Sequence, residues 1–73
     1  MKNVELKEHE KRFGVIALGK GFITLTQLIE AMKIQVTEDL EKGRHRLLGQ
    51  ILIEKNVMNS AQVKEVLELV ESV

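Results

Sequence analysis

The chain is 73 residues long, 44% hydrophobic, with no Cys, no Pro, two Phe and no other aromatic residue. That length allows one small domain, and the missing Cys excludes disulfides and thiolate metal sites; two His are too few for a metal cage without carboxylate help. Eleven Lys and Arg balance eleven Asp and Glu, which argues against DNA or RNA binding, since that needs a net basic face.

Residues 1–8 carry mixed charge around Val4 and Leu6 and read as a charged tail or an extension of the first helix. The opening MKNVELKEHEKR is too acidic for a secretory signal and lacks its apolar centre. No apolar run approaches the ~20 residues that span a bilayer, so a soluble, cytoplasmic protein without membrane insertion is expected. A single helical domain over 9–73 follows.

The first helix is expected near 9–20, with Phe13, Ile16 and Ala17 recurring at helical steps. Its end, GVIALGKG, matches a phosphate-binding loop through seven positions, and Gly21 stands where the loop needs Ser or Thr. The middle residues Val15 to Leu18 continue an apolar helical pattern, no strand precedes Gly14, and the chain is too short for the surrounding α/β sheet. Gly21 reads instead as the left-handed helix stop, with Lys20 as the terminal cation.

The second helix is expected near 24–42. Thr24 and Gln27 form a capping box, Ile23 and Leu28 a hydrophobic staple, and Leu25, Leu28, Ile29, Met32 and Val36 an apolar stripe. Gly43 reads as its stop. Arg44, His45 and Arg46 then precede a third helix near 45–55, carrying Leu48, Ile51 and Leu52. Asn56 stops it as Gly21 stops the first, since Asn is the next best residue at a left-handed position. Asn59 caps a fourth helix near 59–71 with Gln62 and a Met58–Val63 staple, and Val63, Val66, Leu67 and Val70 line its apolar face.

A shift of 35 residues places Gly14 on Gly49, Ile16 on Ile51, Lys20 on Lys55, Gln27 on Gln62 and Glu30 on Glu65. The repeated stop, turn and start predict an all-α fold of two helix-turn-helix repeats packed as a small four-helix assembly. Repeat one covers 12–35, a linker 36–46, and repeat two 47–73.

The repeat unit resembles the N-terminal domains of type II secretion and type IV pilus assembly ATPases. Their motif reads Arg-Leu-Gly, two residues, Leu, three residues, Gly, six residues, Leu, three residues, Leu, two residues, Gln. The first unit keeps Arg12, Gly14, Gly21, Leu28 and Gln35 at those spacings, with Phe13, Ala17 and Met32 in place of leucines. The second keeps Leu48, Gly49, Leu52 and Leu67, but Leu47, Asn56 and Val70 stand at the Arg, Gly and Gln positions, with Arg46 one residue early. Eleven residues separate the units, where the ligand-binding form of the family has about five.

In that family the tandem motif binds cyclic di-GMP. The resemblance implies that Arg12 contacts a guanine, that Gly14 lets the backbone approach the ligand, and that Gln35 reaches a base edge or the backbone while Leu28 flanks the rings. Phe13, Gly21, Arg46 and Gly49 complete the candidate set. Each residue also has a plainer reading. Gly14 and Gly49 suit close helix–helix approach, Arg12 can pair with Glu8 one turn earlier, and Gln35 fits a helix boundary. Arg44 to Arg46 form either an anion-binding loop or a solvated cluster facing Glu41 or Asp39.

No catalytic constellation is visible, and no metal or cofactor is expected. Two functions of different class follow. One is a non-enzymatic regulatory module that docks a protein or self-associates. The alternative is a cyclic di-GMP sensor built on the first unit.

Overall fold

The structure is a computed structural model that describes residues 8–72. Four helices follow in order: α1 Glu8–Gly19, α2 Leu25–Lys42, α3 Leu48–Glu54 and α4 Ser60–Glu71, with no strand among the described residues. Of the segment 1–8, expected as a charged tail or an extension of the first helix, Glu8 belongs to α1, and 1–7 lie outside the described residues. The fold is therefore the all-α, four-helix assembly that the repeat predicts.

The two hairpins are built by the same bonds. After α1, the Phe22 amide donates to Ala17 O and the Gly21 amide to Leu18 O; after α3, Val57 donates to Leu52 O and Asn56 to Ile53 O. Both are Schellman closures around a left-handed residue, Gly21 at φ 76 and Asn56 at φ 61. Each following helix opens on a full capping box. Thr24 Oγ1 accepts from the Gln27 amide and Gln27 Oε1 from the Thr24 amide, and Asn59 and Gln62 exchange the matching pair. Ile23 and Met58, just before these caps, are buried in the core as the staples require.

The helices interlock across the repeat. α1 packs most broadly on α4, and α2 on α3. Exchanging the two hairpins maps this pattern onto itself. The shared core gathers Phe13, Ala17, Ile23, Leu28 and Ala31 from the first unit and Leu48, Ile51, Leu52, Met58, Val66 and Val70 from the second. Lys20 ties the end of α1 to Glu65 of α4 at 2.7 Å, and its ammonium lies 5.8 Å from the Phe22 ring centre.

Two expectations are corrected. The third helix begins at Leu48, not at 45. Gly43 closes α2 in the left-handed region at φ 64, and the Arg44 amide folds back onto Glu38 O. The Arg46 carbonyl is taken by Gln35 Nε2 at 2.9 Å, and Arg44, His45 and Arg46 form a non-helical link and not a helical turn. In α2, the expected stripe divides. Leu28 and Ala31 are buried, whereas Leu25 and Ile29 face solvent. Residues 36–42 of the linker 36–46 belong to α2, in keeping with the second helix expected near 24–42.

The start of α3 shows how the units are joined. Leu47, at its N-cap, has no acceptor in its side chain; Gln50 Oε1 accepts from the Leu47 amide at 2.9 Å. The next amide, Leu48, points at the carboxylate of Glu10 in α1, 3.3 and 3.4 Å from its two oxygens. Glu10 is only 6% exposed. An acceptor 38 positions away in sequence thus supplies a cap that the local sequence lacks. Glu10→Ala is expected to cost about 1–2 kcal/mol in denaturant unfolding. Amide exchange in Leu48–Glu54 should accelerate more than in α2; uniform acceleration in both helices would contradict a capping role.

Candidate functional site

The candidate residues divide by what they touch. Gly14 faces Leu28: a Cβ at Gly14 would lie 3.1 Å from Leu28 Cδ1. The corresponding pair in the second unit, Gly49 and Val63, is tighter, with a Cβ at Gly49 2.9 Å from Val63 Cγ1 and 3.3 Å from Phe13 Cζ. Four of the eight, Phe13, Gly14, Leu28 and Gly49, therefore fill one another's space inside the helix crossings. The missing side chains let α1 approach α2, and α3 approach α4 and the Phe13 ring.

Gln35 and Arg46 form a polar tie. Gln35 donates to the Arg46 carbonyl, while its Oε1 is enclosed without a hydrogen-bond partner. The Arg46 guanidinium grips both oxygens of Glu38 at 2.8 and 2.9 Å and reaches Glu54 at 3.0 Å. A planar fork suits this bidentate pairing. The bridge fastens the link to the last turns of both α2 and α3, and Arg46 and Glu38 side chains are only 23% and 14% exposed. The hydrogen bond from Arg46 holds the Glu38 carboxyl below its ordinary range, against the opposing effect of desolvation. Arg46 is in turn held further into its charged form, first by Glu38 and then by Glu54.

Gly21 serves the turn after α1. Arg12 is half-buried on α1 and makes no hydrogen bond or ion pair with another described residue, so the pairing with Glu8 is not formed. Of the basic cluster, His45 Nδ1 faces Asp39, Arg46 takes Glu38 and Glu54, and Arg44 is exposed. The eight residues thus do not converge on one concave site.

A cavity of about 50 Å³ lies over the Phe13–Gly49 contact, edged by His9, Glu10, Leu47, Gln50 and Leu67. Drug-sized ligands occupy clefts of ~300–1,000 Å³, so this hollow is far too small for a cyclic dinucleotide. No group of three or more His, Cys, Asp or Glu among the described residues has metal-binding geometry.

Two features escape the sequence reading. Glu10 looks like any acidic residue in a first helical turn, and nothing local marks it as a partner of Leu48. The outward exposure of half of the α2 stripe was missed as well, although comparing the two repeats carried the signal. Leu25, Ile29 and Leu40 are 58%, 43% and 63% exposed, with Val36 half-buried between them. The repeat shift aligns Leu25, Ile29 and Val36 with Ser60, Lys64 and Glu71 of α4, an ordinary polar face.

No protein-family model matches the chain, and no curated protein or solved structure matches it. The likeness to secretion-ATPase N-terminal domains rests on the motif residues alone.

Gly49→Ala is expected to destabilise by about 1–3 kcal/mol through overpacking. Gly14→Ala, which meets only a flexible Leu methyl and gains helix propensity, should stay within about 1 kcal/mol of the parent. Thermal unfolding of the two variants checks the order. Because the Glu38 carboxyl is held low, its contribution is complete above the ordinary carboxylate range and is lost as pH falls through the folded value. Between about pH 5 and pH 3, Arg46→Met should therefore lose less stability on acidification than the parent; parallel pH profiles would show that the bridge contributes nothing.

Proposed function

We propose that this protein is a small non-enzymatic interaction module of the cytoplasm whose docking surface is the outer face of α2. One observation carries the reading. α2 and α4 are repeat-equivalent helices that open on the same kind of capping box and both bury residues in the core, yet α4 presents Ser60, Lys64 and Glu71 where α2 presents Leu25, Ile29 and Val36. The polar version suffices to fold a helix in this assembly. Apolar residues at those positions therefore answer a need other than folding, and contiguous exposed apolar surface on a small domain serves association.

A photoreactive residue at Ile29 is expected to yield covalent protein adducts in cells, whereas the same residue at the equivalent Lys64 yields few. Equal labelling at the two positions, or none at Ile29, would overturn the assignment.

Cyclic di-GMP sensing retains one supporting observation, the Arg12 guanidinium, which has no hydrogen bond or ion pair with another described residue and is a group suited to stacking on guanine. Against it, Gly14, Leu28, Gly49 and Gln35 are occupied by internal contacts. Calorimetric titration at about 100 µM ligand is expected to give neither heat nor a rise in Tm, since any ligand that prefers the folded state must stabilise it. A thermal shift abolished by Arg12→Ala would instead establish the sensor.

A further inference from the structure

We draw no further inference here: the strongest candidate, the exposed apolar face of α2 around Leu25, Ile29 and Leu40, carries nothing beyond the docking reading, because nothing in the structure shows what covers it.

Discussion

A helix of seven residues does not persist alone in water, because nucleation costs more than so few backbone bonds return. α3 is such a helix, and it nonetheless touches all three others. The carboxylate of Glu10 terminates it on one side, and the fully buried Leu48, Ile51 and Leu52 anchor it in the core. Gly49 lets Val63 and the Phe13 ring close against it. These contacts come from α1, α2 and α4, so α3 forms as a product of the assembly. Losing any one of them loosens the shared centre of both hairpins.

The skeleton of this arrangement is written locally, and so it was legible. Left-handed stops at Gly21 and Asn56, capping boxes at Thr24 and Asn59, and the buried staples each involve residues a few positions apart. Chemistry on that scale survives translation into structure with little ambiguity. The start of α3 depends on partners far away in the chain, Gln35 and Glu10, which claim the Arg46 carbonyl and the Leu48 amide. No local pattern reveals such a claim, and the helix reading ran three residues too far toward the N-terminus.

The candidate binding residues show a related limit. Arg12, Gly14, Leu28 and Gln35 were singled out by spacing, and spacing alone does not say whether a glycine approaches a ligand or another helix. Here Gly14 and Gly49 occupy corresponding crossings, each facing the same position of the following helix, Leu28 or Val63. A repeat that preserves its crossings preserves its glycines whether or not it binds anything. The discriminating information lay elsewhere, in where the units differ. One outward helix face carries Leu25, Ile29 and Val36 where its counterpart carries Ser60, Lys64 and Glu71.

The Arg46 bridge has a topological consequence. Proteins made of two similar, interlocked halves are prone to trade halves between chains, because each half offers the other chain the same surfaces it offers its own. Such an exchange needs the connection between halves to straighten. Here that connection is the short non-helical link 43–47. It is held by Gln35 on its backbone and by Glu38 and Glu54 on its one half-buried guanidinium. Straightening that link would break the Arg46 bridge to Glu38 and Glu54 and the Gln35 bond, so these bonds oppose any exchange of halves between chains.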